Sequence, residues 1–324
     1  MPHANRFLHV LHLVPLILLL VPRSTHGAEP DSAVVMPVRA RAALVVRPAR
    51  VAAQPLVSQL LLLPRALQPF RVPPALGERA ERITVLQLES VIGWQTMGVT
   101  RGVSDLGDEF GRLRGEPAGF AGGREVYRLG SDGSGDRITR LGPAEIAEGT
   151  AEALRTGLGV QPAAAGRRLE VERALRGLPD PGSPAHVVYI APDGGADLVQ
   201  TVTEAGAIWN LDLRSLLEPY EAALRMLGTL HGARADLWQD GEALRVRAAL
   251  VAPNGAAAQR SYLALRAARQ LAPLASDAAV KGGSMTRAEA TLLTGVLESM
   301  QSRVEGDQVH IEVLLPPEAS PSGP

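Results

Sequence analysis

Three stretches of this 324-residue chain alternate their side chains with a period of two on both sides of a glycine turn. A chain that does so repeatedly is committed to antiparallel sheet. Glu125 to Leu129 and Arg137 to Leu141 flank the turn Gly130-Ser131-Asp132-Gly133-Ser134-Gly135-Asp136. Arg234 to Gln239 and Leu244 to Leu250 flank Asp240-Gly241, where a tight turn needs positive φ. Ser302 to Glu305 and Gln308 to Leu314 flank Gly306-Asp307. Leu244, Val246, Ala248 and Leu250 share one face of the second hairpin, and Val309, Ile311 and Val313 share one face of the third. Each apolar face must be covered.

Helical patterns supply the cover. Asn254-Gly255 caps a long helix with Leu263, Ala267, Leu271 and Leu274 on one side. Thr286-Arg287-Ala288-Glu289 is a capping box for a last helix whose buried stripe is Leu292, Leu293, Val296, Leu297 and Met300. A strand from Ala43 to Arg47 precedes a helix opened by Pro48 and continued through Leu56 to Leu63. Pro143 is read in the same way, as the start of a helix with Ile146, Thr150, Ala153 and Leu154 inside and Glu145, Glu148 and Glu152 as a solvated face. Further strands are expected at Arg82–Leu88, His186–Ile190 and Ala207–Leu213, the last entering a helix at about Arg214 that carries Leu216, Leu217, Tyr220, Leu224 and Leu227.

These units predict an α+β fold, with antiparallel sheets and helices packed on one face, in two weakly similar halves. The echo between halves lies in strands that enter helices alike, at Pro48-Ala49-Arg50, Pro143-Ala144-Glu145 and Asp212-Leu213-Arg214. The hairpins argue against the alternative, a parallel doubly wound sheet.

Residues 1–27 read as an export signal. Arg6 precedes an apolar run from Val10 to Val21, too short and too interrupted by His12 and Pro15 to span a bilayer comfortably, and Thr25 and Gly27 fit a cleavage site before Ala28. An N-terminal α+β domain is expected over 28–158, a linker rich in Ala, Gly, Pro and Arg over 159–184, a C-terminal α+β domain over 185–316, and a disordered Pro/Ser tail over 317–324. The expected destination is the periplasm or the extracellular space, with a membrane tether if the signal stays uncleaved. No transmembrane span remains after cleavage. The chain has no cysteine, so packing alone must hold it in an oxidising compartment.

Composition narrows the partners. The 33 basic residues, all arginine except Lys281, are interleaved with 34 acids, for a net charge of −1. Nucleic acid would require clustered cations. Aromatic residues are 3% of the chain, too few for stacking platforms.

No constellation points to chemistry. Downstream of the signal the histidines are His186, His231 and His310, none at metal-ligand spacing with another, and each is expected to be an ordinary surface residue. Asp132, Ser134 and Asp136 alternate as in a calcium loop, but Arg137 stands where glycine is required and Pro143 where a bidentate glutamate is required. The nucleophile elbow, the phosphate loop and the dinucleotide fingerprint are all missing, and Lys281 is read as a solvated loop residue. The sequence therefore nominates no catalytic, cofactor-binding or metal residue.

The export signal, the strand ending Val46-Arg47-Pro48-Ala49, the late Asp-Gly hairpin and the closing Glu305-Gly306-Asp307-Gln308-Val309-His310-Ile311-Glu312-Val313 resemble exported bacterial proteins of unknown function. That resemblance implies export and brings no activity or site residue. The expected function is non-enzymatic, through protein contacts in the cell envelope. The alternatives are an exported hydrolase with a dispersed site and a small-molecule carrier.

Overall fold

The computed structural model describes residues 37, 39–61, 79–129, 136–159, 183–192, 195–206, 225, 228–282 and 286–315. In chain order the elements are β1 (Ala40–Val46), α1 (Pro48–Ala52), α2 (Pro55–Leu61), β2 (Ala80–Ser90), β3 (Gly93–Gly102), α3 (Gly107–Leu113), β4 (Arg114–Ala121), β5 (Arg124–Leu129), β6 (Arg137–Gly142), β7 (Glu145–Gly149) and α4 (Ala151–Leu158). Then come β8 (Ala185–Ile190), α5 (Leu198–Gly206), β9 (Gly232–Asp240), β10 (Ala243–Val251), α6 (Gly255–Lys281), α7 (Arg287–Ser299), β11 (Gln301–Glu305) and β12 (Gln308–Leu315).

The strands form one 12-stranded sheet in the order β11-β12-β10-β9-β8-β1-β2-β3-β7-β6-β5-β4. Every described pairing is antiparallel. The predicted plural sheets are thus a single sheet, and the doubly wound alternative falls. One lateral row crosses it almost from edge to edge: Ser302, Ile311, Ala248, Ala235, Val187, Leu44, Val85, Gly98, Glu148, Ile138 and Tyr127 stand opposite one another in turn.

Most helices lie on the face of that row. Val57 of α2, Leu198 of α5, Ala258 and Leu265 of α6 and Val296 of α7 pack with Leu44, Val85, Val187, Val246 and Ile311 in the largest core. Leu106 and Phe110, at the start of α3, join Ile138 and Ile146 further along the sheet. Helix α4 departs from the expected arrangement. Its Ala153 and Leu154 pack with Leu86, Leu88, Met97 and Ala147 on the opposite face, because β2 is apolar on both sides and its second side also has to be covered.

The closing segment matches its pattern. Val309, Ile311 and Val313 are buried in the same core as Val296 and Met300 of α7 and its C-terminal end. The turns at Gly241 and Gly306 have φ of 60° and 62°, the left-handed conformation that glycine adopts without steric penalty. Where β12 extends past the start of β11, the Ser299 hydroxyl bonds both the N–H and the C=O of Leu314 and stands in for a strand. Asn254 caps α6 as expected, its Oδ1 accepting from the Ala257 N–H at 2.9 Å.

Two expectations fail here. Pro143 does not open a helix: Pro143-Ala144 is the turn between β6 and β7, and the helix starts at Ala151, with the Thr150 hydroxyl accepting from the Ala153 N–H at 3.0 Å. Strand β7 is clasped by β3 on one side and β6 on the other, and this pairing outweighs local helix propensity. The glutamates therefore do not share a solvated helical face, and Glu148 is buried. The helix from Pro48 is also two helices, divided before Pro55.

The expected strand and helix over 207–227 fall almost wholly outside the described residues, as do the signal, the 317–324 tail, nearly all of the 159–184 segment and most of the Gly130–Asp136 turn.

Candidate functional site

On the sheet face away from the main core, the strands β8 to β12 carry charge where β1 to β3 carry aliphatic groups. A second lateral row runs Gln301, Glu312, Arg247, Asp236, His186, Val45, Thr84 and Val99. Acid, base, acid and imidazole alternate across four adjacent strands. Arg234, two residues from Asp236 on β9, donates to it from Nε at 3.0 Å and from Nη2 at 2.8 Å, and both side chains are buried. The Arg247 guanidinium lies 4.4 Å over the Trp238 ring. Arg245 Nη1 donates to Glu312 at 2.6 Å.

His186 lies in the middle of this face. Burial pushes its imidazole well below the ordinary histidine pKa, and the positive charges of Arg234, Arg47 and Arg82 push it further, so the ring is neutral at physiological pH. Its Nδ1 has no hydrogen-bond partner. His310 is also buried and lies 3.4 Å from Glu305, while the His231 backbone bonds Val251. The three histidines are thus interior residues, contrary to the surface role expected of them. A strand pattern of alternating charge looks like one solvated face, and it does not reveal that the charges are covered.

Asp236 engages both of its oxygens with Arg234, and His186 faces it as a neutral ring inside a cationic surround. Among the described residues no cluster of His, Cys, Asp or Glu could hold a metal ion. Buried ion pairs of this kind contribute little net stability, but a register slip would separate Asp236 from Arg247 and drive charge into the apolar core, so the row fixes strand register.

A buried acid of the sheet itself lies on the other face. Glu148, 3% exposed, sits between Gly98 and Ile138, and its Oε2 has no hydrogen-bond partner. Burial, with a smaller contribution from the Asp136 charge, pushes its carboxyl up to about 8.

The surface of α6 supplies a further feature. Leu263, Leu271 and Leu274 are 52%, 57% and 70% exposed, although their spacing led to the expectation of a single apolar side. The side of α6 that meets the sheet is instead built from small residues, Ala257, Ala258 and Ser261, with Leu265. The leucines form a ridge on the outward side, with the exposed Arg266 and Arg269 nearby in the same helix. No helix among the described residues is long and apolar enough to cross a membrane.

No protein-family model matches this chain, and no curated protein matches it. Among solved structures, crystal form I of TP0453 is similar at 11% identity and a TM-score of 0.41, over 90% of this chain and 95% of that one. Crystal form III of TP0453 gives 11% identity and a TM-score of 0.40, over 88% and 94%. Likeness at this level carries neither a fold nor a role across to this chain.

Proposed function

We propose that this is an exported, non-enzymatic protein that acts through protein contacts in the cell envelope, with the α6 ridge as its contact surface. The observation that carries the reading is the outward exposure of Leu263, Leu271 and Leu274 on a helix already anchored to the sheet by its other side. Exposed apolar groups gathered on one side of a helix mark interaction surfaces. Covering the remaining exposed area of three leucines is worth about 1 kcal/mol apiece, or about a hundredfold in Kd together. The short apolar run from Val10 to Val21 supports export.

We further infer that the sheet is two copies of one unit, β1 to α4 and β8 to β12, corresponding to the expected domains 28–158 and 185–316. A two-fold axis through the Leu44–Val187 pair takes β1 onto β8, β2 onto β9, β3 onto β10, β7 onto β12 and β6 onto β11. The register supports it: Val85 falls on Ala235 and Gly98 on Ala248, the same displacement along the sequence for both strands of the hairpin. Glu148 then falls on Ile311, and Ile138 on Ser302.

Cross-linking in intact cells from a photoreactive residue at position 271 tests the contact reading. A discrete protein adduct that disappears when Leu274→Glu is added, with the melting curve retained, is expected. No adduct, or one indifferent to the ridge, would overturn it.

A further inference from the structure

The two edges of the sheet differ in kind. At one end β4 contains Pro117, and its register with β5 shifts twice, so it offers little regular backbone to a neighbour. At the other end β11 pairs with β12 residue for residue, with no shift and no proline. In a hairpin with a two-residue turn the residues flanking the turn exchange both of their hydrogen bonds. Glu305, Arg303 and Gln301 therefore direct their N–H and C=O groups toward β12, and Ser302 and Val304 direct theirs outward. Among the described residues no strand lies against that outer side.

The other half of the sheet fills the equivalent position. Under the two-fold relation β11 corresponds to β6, and the outer side of β6 carries β5, with Tyr127 opposite Ile138 and Arg128 opposite Arg137. Ile138 is the counterpart of Ser302. The same unit thus holds a strand in one copy and, among the described residues, none in the other.

We propose that the outer edge of β11 takes up an extended peptide segment of a partner protein as an added strand, occupying the place that β5 fills beside β6. The edge determines the chemistry of that segment. Beside Ser302 and Val304 the added strand meets the helix-covered face, where Val304 packs with the main core, so the segment presents apolar side chains there. Opposite Arg303 it faces a guanidinium whose buried Nε makes no hydrogen bond, and a carboxylate suits that position. Short charged edge strands often serve only to prevent pairing. Here the charges of Arg303 and Glu305 lie 2.9 Å apart on the same face and balance one another, leaving the backbone edge regular. A second copy of β11 is disfavoured, because the antiparallel register that pairs Ser302 with Val304 places Arg303 against Arg303.

This proposal rests on the reading that the chain works through protein contacts, but its test is separate from the ridge. The probe is a capped synthetic peptide based on residues 123–130 with Glu125→Val, Gly-Arg-Val-Val-Tyr-Arg-Leu-Gly, so that Tyr127 meets Ser302 and the new valine meets Val304, added to the isotope-labelled full chain. Binding is expected to slow amide exchange at Ser302 and Val304 at least tenfold. A peptide with Val126→Glu, which sets a carboxylate opposite Arg303, should bind several-fold more tightly. Val304→Pro removes an outward N–H and leaves the bonds to β12 intact, so it should weaken binding at least tenfold. A peptide N-methylated at the residue facing Ser302 loses the N–H that donates to the Ser302 C=O and tests the added ladder without altering the protein. No protection at Ser302 and Val304 at millimolar peptide, or equal binding by the N-methylated peptide, would overturn the proposal. Peptide binding without any ridge adduct in cells would remove the ridge reading alone.

Discussion

Glu148 stands directly opposite Gly98 in the β3–β7 ladder, on a sheet face where the same row otherwise presents Leu44, Val85 and Ile138. Burial in that position favours the protonated form of the carboxyl. Its pKa rises from an unfolded value of 4.5 to about 8 in the folded chain, so between these values the folded state holds a proton that the unfolded state has lost. The contribution of Glu148 to stability therefore falls as pH rises through that window, by about 1.4 kcal/mol per pH unit at most. Chemical denaturation at pH 5 and pH 8 should show the loss, and Glu148→Gln should abolish it. An unchanged slope in the variant would mean that the acid is solvated.

His186 gives the opposite slope. Its folded pKa is depressed, so below the unfolded value of 6.5 the unfolded chain binds a proton that the folded one does not, and stability falls as pH falls. With Glu148 acting from the other side, the denaturation midpoint should be greatest between about pH 4.5 and 6.5. Replacing His186 by Gln should remove the loss on the acid side and leave the alkaline side as it was.

Arg234 and Asp236 form a buried pair whose halves are not independent. Asp236→Asn leaves a buried guanidinium without its carboxylate and should destabilise the fold by about 3–5 kcal/mol. Replacing both, as Arg234→Met with Asp236→Leu, should recover most of that loss. A double variant as unstable as the single one would show that the charges contribute more than register.

Ile311 lies at the centre of β12, fully buried and in one core with Val296 and Met300. Ile311→Ala should cost about 2–5 kcal/mol, visible as a lower melting temperature. Truncation after Ser302, which deletes Val309, Ile311 and Val313 together, should unfold the second half.

The hairpins were legible because turn chemistry and period agree. Asp240-Gly241 and Gly306-Asp307 each separate two alternating runs, and both strands of each pair appear where they were expected. Strand β7 was not legible. Glu145, Glu148 and Glu152 recur at helical spacing after a proline suited to a helix start, and what makes the segment a strand is its contact with β3, about 50 residues earlier. Strand β3 leaves a weak trace in the sequence because Gly98 interrupts its pattern and glycines stand at both of its ends. The charged face of β9 and β10 was visible only as alternation, since Arg234, Asp236, Arg245 and Arg247 leave the same sequence trace whether water or protein covers them. In the sequence the leucines of α6 look like its inner side because leucine outweighs alanine in any apolar pattern, whereas the close approach of the helix to the sheet selects alanine and serine.

The central claim is that the chain works by contact and not by chemistry, and one cellular comparison addresses it. Strains carrying Leu271→Glu with Leu274→Glu, or His186→Gln with His231→Gln and His310→Gln, are competed against the parent and against a deletion strain. Melting curves must first establish that both proteins are folded. The account predicts that the ridge strain behaves like the deletion and that the histidine strain behaves like the parent. A histidine strain that matches the deletion, beside a ridge strain that matches the parent, would contradict it.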